Sequence, residues 1–302
     1  MTKFENIVLI GLGHAHLYVG ARADEFRRRG LRLTLIDDGE FWYSSIGSGM
    51  LGGRYERADD VIDAQDFSQR YGITFVRGRA ASIDREHRQI ILEDGREVAY
   101  DLLSLNVGSH VAPPFPTSGD GIWSPKPISG LLQLREELKA RFREGEPVKC
   151  LTVGGNHSGC ELTLNALALA RAEGGQLEST LITDCGELIE SEPPGARKAM
   201  LNALQDAGCN VCFGVRVEAA DSGVVTTGDG RTFAFDIAMI ATGLQPSDLI
   251  CRCGVSYNAR GLIVNASLHS PEDDRIFAAG DCASISGFDL AKVGVFGVRA
   301  SP

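Results

Sequence analysis

No stretch of the 302-residue chain approaches the roughly 18–20 consecutive apolar residues that a bilayer-spanning helix needs, so no membrane span is expected. Positive charge is scarce. Thirty Lys and Arg stand against forty Asp and Glu, a formal net charge of −10, which argues against nucleic acid or an anionic membrane surface as partner. The first residues lead straight into an apolar strand with no signal-peptide pattern, and a cytoplasmic location is the expectation. The eight cysteines lack the spacing of a secreted disulfide framework. Cys209-x-x-Cys212 and Cys251-x-Cys253 lie in or beside predicted strands and read as packing thiols.

Glycine is plentiful, at 36 residues, and its placement organises the chain. Residues 6–16 read NIVLIGLGHAH. Ile7, Val8, Leu9 and Ile10 form a run suited to a strand buried on both faces. Gly11 and Gly13 follow at the spacing of a tight strand-to-helix turn whose backbone can approach a pyrophosphate, with His14 on that turn and the first helix expected over residues 18–29, closed by Gly30. His16 stands where a third glycine is usual. The next apolar run ends in Asp37, an acid placed to bond a ribose hydroxyl. A glycine- and serine-rich stretch, DGEFWYSSIGSGMLGGRY, then reads as a long functional loop. Short strands follow at residues 73–76, 80–84, 89–92 and 97–99, the last two joined by the turn Glu93-Asp94-Gly95-Arg96. A buried strand spans residues 100–107 and ends at Gly108 and Ser109.

After a proline-rich break the plan repeats. A helix over residues 128–143 precedes a strand over 148–153. Gly154 and Gly155 open a turn into a helix over 159–172, and a strand over 180–183 ends in Asp184. A helix over 195–207, a second meander with an Asp229-Gly230 turn and a strand ending near Ala241-Thr242-Gly243 complete the copy. A final strand over 276–279 leads into Gly280-Asp281. The expected fold is α/β, with two Rossmann-like domains, each carrying a small β-meander. The first is discontinuous, residues 1–112 with 268–302; the second spans 113–267.

Together Gly11-x-Gly13 with Asp37, the Gly154 turn, Ala241-Thr242-Gly243 and Gly280-Asp281 resemble the pyridine nucleotide-disulfide oxidoreductase superfamily of two-dinucleotide-domain flavoproteins. GLGHAH, YSSIGSGMLGGRY, YDLLSLNVGS, Pro125-Lys126-Pro127 and KVGVFGVR further resemble its NADH dehydrogenase-like module, found alone or fused to selenophosphate synthetase. That group is similar to type II NADH dehydrogenases and sulfide:quinone oxidoreductases. The resemblance implies FAD, a small-molecule reductant such as NADH, and a small acceptor such as a quinone. It implies that Gly11, Gly13 and the neighbouring amides of His14, Ala15 and His16 hold the FAD pyrophosphate, with Asp37 on the adenosine ribose. Gly280 and Asp281 fall on the ribityl or pyrophosphate side, and Gly108 and Ser109 line the cofactor. Lys292 and Val293 begin a helix facing the flavin, a region within reach of Lys126. Gly154, Gly155, Asp184 and Gly243 correspond to the second nucleotide site, and Glu161 to a residue near the nicotinamide.

The pattern departs in three places. Disulfide reductases of this class carry a cysteine pair in the loop after Asp37, and this loop has none, which argues against that chemistry. Asn156 replaces the second glycine of the second turn and is expected to crowd a pyrophosphate. Relatives continue past residues 292–299, so a quinone site and membrane attachment are not carried over. Two alternatives stand beside an NADH-driven enzyme. One is a sulfide- or thiol-oxidising flavoprotein using Cys160 as a low-pKa thiol at a helix N-terminus. The other is a non-catalytic nucleotide-binding module with a degenerate second site.

Overall fold

The computed structural model describes residues 5–288 and Lys292. In chain order it forms β1 (Asn6–Ile10), α1 (His14–Gly20), α2 (Ala23–Arg28), β2 (Arg32–Asp37), α3 (Gly47–Leu51), α4 (Ala64–Tyr71) and β3 (Thr74–Arg77). A meander of β4 (Ala80–Asp84), β5 (Gln89–Leu92) and β6 (Glu97–Ala99) leads to β7 (Leu102–Leu105). The second series is β8 (Ile122–Trp123), α5 (Gly130–Glu144), β9 (Val148–Val153), α6 (His157–Glu173), β10 (Leu177–Ile182), α7 (Pro194–Asp206) and β11 (Asn210–Cys212). A second meander, β12 (Val217–Asp221), β13 (Val224–Thr227) and β14 (Thr232–Ala234), precedes β15 (Ile237–Ile240), β16 (Gly261–Val264) and β17 (Ile276–Ala278).

The expected α/β architecture with two Rossmann-like halves is present. One five-stranded sheet runs β17-β7-β1-β2-β3, the other β8-β15-β9-β10-β11, and every pairing in both is parallel. Register makes the duplication concrete. Leu9 lies between Ser104 and Leu35 in the first sheet as Leu151 lies between Ala238 and Thr180 in the second. The β-branched runs are explained by burial on both faces of each sheet. Val8 and Ile10 enter one core cluster, Ile7 and Leu9 another. Even the meanders agree in detail, with a register shift inside the first strand of each, at Ala80/Ser82 and at Val217/Ala219. In each, an Asp-Gly-Arg turn places glycine at positive φ (Gly95 +83°, Gly230 +82°), and an arginine Nε donates to the turn aspartate at 2.8 Å.

Contacts group the chain into residues 1–41, 61–110 and 245–302 as one unit, and 42–60 with 111–244 as the other. The boundaries expected from the proline-rich break and the repeat lie near residues 112 and 267. Two packing facts account for the difference. Leu249, Ile250, Cys253, Val255, Leu262 and Val264 lie in the core cluster of Val8 and Ile10. Leu51 of α3 is buried among Leu131, Leu134 and Leu138 of α5 and Leu162 and Ala166 of α6. The stretch read as a loop after Asp37 therefore carries a packed helix. Its glycines permit close approach: an added Cβ would lie 3.0 Å from Ile128 at Gly47 and 2.7 Å from the Tyr55 ring at Gly49. Arg135 of α5 fastens this stretch, donating to the Met50 and Tyr55 carbonyls at 3.3 Å and to both oxygens of Glu56, at 3.2 and 2.8 Å. The first helix is also divided, because Arg22 leaves helical dihedrals (φ −104°, ψ 17°) between α1 and α2.

Candidate functional site

The first unit builds a site where β1, β2, β7 and β17 end together. Gly11 takes φ +82°, and its N–H donates to Ile36 O at 2.9 Å, turning the chain sharply off β1. Leu12 N–H donates to Asp37 Oδ2 at 2.7 Å and Gly39 N–H to Oδ1 at 2.8 Å. A carboxylate has about four acceptor positions, so Asp37 keeps capacity for a further hydroxyl. Burial pushes its carboxyl above the usual range, against the two amides and Arg77.

Gly13 is the N-cap of α1 and supplies no side-chain oxygen. Asn106, just past β7, supplies one instead: its Oδ1 accepts from Ala15 N at 3.0 Å and from His16 N at 3.3 Å, while its Nδ2 donates to Ala279 O at 2.7 Å. An added Cβ would lie 2.7 Å from Asn106 O at Gly11 and 2.7 Å from Asn106 Nδ2 at Gly280, and would clash with Asn106 Oδ1 at Gly13. The glycines of the fingerprint thus fit around this buried asparagine, which sequence reasoning passed over. The one signal it gave was a polar residue closing an apolar strand.

His16 is 1 % exposed. Its Nδ1 lies 2.6 Å from Gly11 O and its Nε2 2.8 Å from Ser104 Oγ. A carbonyl can only accept, so Nδ1 carries the proton and Nε2 accepts from the serine. Burial pushes this imidazole down to about 4, with the Gly11 carbonyl pulling the other way. His14 packs edge-on against Phe41, ring centroids 5.0 Å apart. Burial lowers its pKa, opposed by the charge of Asp281. Asp281 Oδ2 accepts from Ser109 Oγ at 2.7 Å, just past Gly108 at φ +66°. A cleft of ≈ 430 Å³ opens beside this turn, lined by Gly11, Asp37, Asp38, Arg79, Glu93 and Arg252 among others. Lys292 Nζ donates to the Ala283 carbonyl. Val293 lies outside the described residues.

The second unit carries the matching turn. Gly154 takes φ +119°, and an added Cβ would sit 2.9 Å from Ala241 O. Gly155 is held as closely by Thr183, and a Cβ at Gly159 would clash with the Gly154 carbonyl, so the helix start packs directly on the strand end. Gly243 is likewise closed in by the Ala112 carbonyl. Asn156 caps α6: its Oδ1 accepts from Gly159 N at 3.0 Å and its Nδ2 donates to Ala241 O at 2.6 Å. Its carboxamide is therefore engaged with the protein's own backbone. Asp184 is exposed just past β10.

The three catalytic candidates fall in this unit, in different settings. Glu161 is exposed, and its Oε2 accepts from Ser48 Oγ of α3 at 2.9 Å. Lys126 lies between β8 and α5, its N–H donating to Ser124 Oγ at 3.3 Å. Cys160 corrects the expectation of an activated thiol. It is fully buried, its Sγ points 3.7 Å from Gly155 O, and burial pushes the thiol up to about 12. Desolvation outweighs whatever the helix N-terminus contributes. Cys282 is as buried, pushed up to about 11.

Comparison with known proteins agrees with this geometry. The pyridine nucleotide-disulphide oxidoreductase family model matches residues 5–296. A nitric oxide reductase FlRd-NAD(+) reductase of Klebsiella pneumoniae is 29% identical over 301 residues, covering 95% of this chain and 74% of that protein. A type II NADH:quinone oxidoreductase of Haemophilus influenzae is 24% identical, covering 93% of this chain and 74% of its own length. Among solved structures, a putidaredoxin reductase–putidaredoxin complex superposes with a TM-score of 0.83 at 21% identity, covering 98% of this chain and 73% of that one. The sulfide:quinone oxidoreductase of Aquifex aeolicus gives 0.83 at 18% identity, covering 98% and 74%. With two glycine turns at matching strand ends and a family match over nearly its whole length, this chain belongs to the pyridine nucleotide-disulphide oxidoreductase family.

Proposed function

We propose that this protein is an FAD-dependent oxidoreductase that takes electrons from NADH and passes them to a quinone or another small acceptor. Family membership and the named activities of its relatives support the general class, a flavin-dependent NAD(P)H oxidoreductase. The observation that carries the reading is the first turn. Gly11 and Gly13 let the turn pack directly on Asn106, where a Cβ would collide, Asp37 keeps acceptor capacity at the adjoining ≈ 430 Å³ cleft, and Asp281 is oriented by Ser109.

In this reading Gly11, Gly13, His14, Ala15 and His16 form the turn against which FAD is held. Asp37 anchors a ribose, and Gly108, Ser109, Gly280, Asp281 and Lys292 take the other end; bound FAD supplies the redox chemistry. The second turn, Gly154 and Gly155 with Gly243, receives NADH. The acidic Asp184 at its edge disfavours the extra phosphate of NADPH. Glu161 orients the nicotinamide end and Lys126 adds positive charge. The thiol-oxidising alternative has little support, since Cys160 and Cys282 are both fully buried with raised pKa values. An absorbance spectrum of the purified protein, followed by anaerobic addition of NADH and separately NADPH, tests the reading. Flavin bands that bleach faster with NADH are expected. A colourless, folded protein that takes up no FAD refutes it.

A further inference from the structure

The two halves place one carboxamide at the strand-to-helix turn from opposite sides. In the first half Ile10, which leads into Gly11-Leu12-Gly13, pairs with Leu105, which leads into Asn106-Val107-Gly108. In the second, Val153, which leads into Gly154-Gly155-Asn156, pairs with Ile240, which leads into Ala241-Thr242-Gly243. The asparagine has changed places. The first half has glycine on the turn and Asn106 on the strand end; the second has Asn156 on the turn and the small Ala241 on the strand end.

The capping bonds correspond as well. Asn106 Oδ1 accepts from the N–H of the third residue of α1, His16, at 3.3 Å. Asn156 Oδ1 accepts from the third residue of α6, Gly159, at 3.0 Å. The Nδ2 bonds differ: Asn106 reaches across to Ala279 O, just past β17, at 2.7 Å, whereas Asn156 reaches Ala241 O, just past β15, the counterpart of β7, at 2.6 Å. The space is exclusive: a side chain at position 13 would run into Asn106 Oδ1.

We propose that Asn106 is a positioning residue for the FAD turn, and that Asn156 is its exchanged counterpart, so that the missing glycine of the second motif is a compensated change. Asn106 Oδ1 caps the start of α1, the role Asn156 fills at the start of α6 and the contact the exchange carries over, while its Nδ2 also ties the turn to Ala279 within the first unit. This rests on the reading that FAD occupies the first turn.

The test is a swap. Asn106→Ala, Gly13→Asn and the double variant are purified as full-length apo-proteins. Each is titrated with FAD by fluorescence quenching and melted without FAD. Asn106→Ala is expected to weaken FAD binding about tenfold or more, the loss of a buried hydrogen-bond set. Gly13→Asn alone is expected to bind no better, because its side chain meets Asn106. The double variant, which copies the second half, is expected to recover to within about threefold of wild type, the coupling expected of residues in contact. Asn106→Ala with wild-type affinity, or a double variant no better than the worse single, overturns the proposal. If Asn106→Ala does not fold, folding and FAD binding regained in the double variant support the exchange, and their absence refutes it. If wild type itself takes no FAD, the functional reading fails. The exchange is then judged by whether the double variant's melting temperature exceeds those of both singles.

Discussion

His16 makes the stability of the first unit depend on pH in a defined way. The imidazole is pushed from 6.5 down to about 4 by burial. Below about 6.5 the unfolded chain takes up a proton that the folded chain refuses until about pH 4. The stability His16 contributes is therefore complete above pH 6.5 and drains away as pH falls towards 4. Between pH 7.5 and 4.5 the linkage amounts to about 2.5 kcal/mol, from 1.36 kcal/mol per pKa unit. Urea denaturation of wild type and His16→Gln at the two pH values measures it. Glutamine retains a donor for the Gly11 carbonyl but does not titrate. The variant is expected to be the weaker protein at pH 7.5 and to lose about 2.5 kcal/mol less than wild type on going to pH 4.5. Parallel losses in the two proteins would refute the assignment of a buried, neutral His16.

Asp60 carries the opposite sign. It is 2 % exposed, and burial pushes its carboxyl up to about 6, opposed by the Tyr43 backbone N–H. Its folded form holds a proton that the unfolded form releases, so its contribution fades as pH rises through about 6. Asp60→Asn is expected to raise the melting temperature at pH 7.5 and to have little effect at pH 4, read by differential scanning fluorimetry. Cys160→Ala is expected to cost about 1 kcal/mol from the buried sulfur while leaving the rate of NADH-driven flavin bleaching unchanged. A large loss of rate in a folded variant would reinstate the thiol chemistry.

Much of the fold was legible because it rests on local patterns. Ala80–Asp84, Gln89–Leu92, Glu97–Ala99 and Val148–Val153 occupy the residues their alternation, turn chemistry and β-branched runs predict. The helix Ala64–Tyr71 went unread although its signals were ordinary: Asp63 Oδ1 accepts from Gln65 N and Asp66 N, and Gly72 closes it at φ +65°. Its polar composition concealed it. The glycines of residues 47–53 suggested a loop, because the reason for them, close packing of α3 against α5 and α6, is tertiary. Asn106 and the His16–Ser104 bond were out of reach for the same cause. They join positions 88 to 173 residues apart, and only the parallel register of β1, β7 and β17 brings them together.

The Arg135 clamp has a consequence for how this polypeptide can be divided. Arg135 is 7 % exposed, and its bidentate carboxylate partner Glu56 and its two carbonyl acceptors come from residues 50–56, far upstream. A fragment of residues 113–244 made alone would keep the cation in its helical layer with Glu136 beside it but without the bidentate Glu56 carboxylate and the two carbonyls, and with the seat of Leu51 vacant. The later half borrows a piece of the earlier one, so although the architecture is doubled, the molecule does not come apart at the repeat.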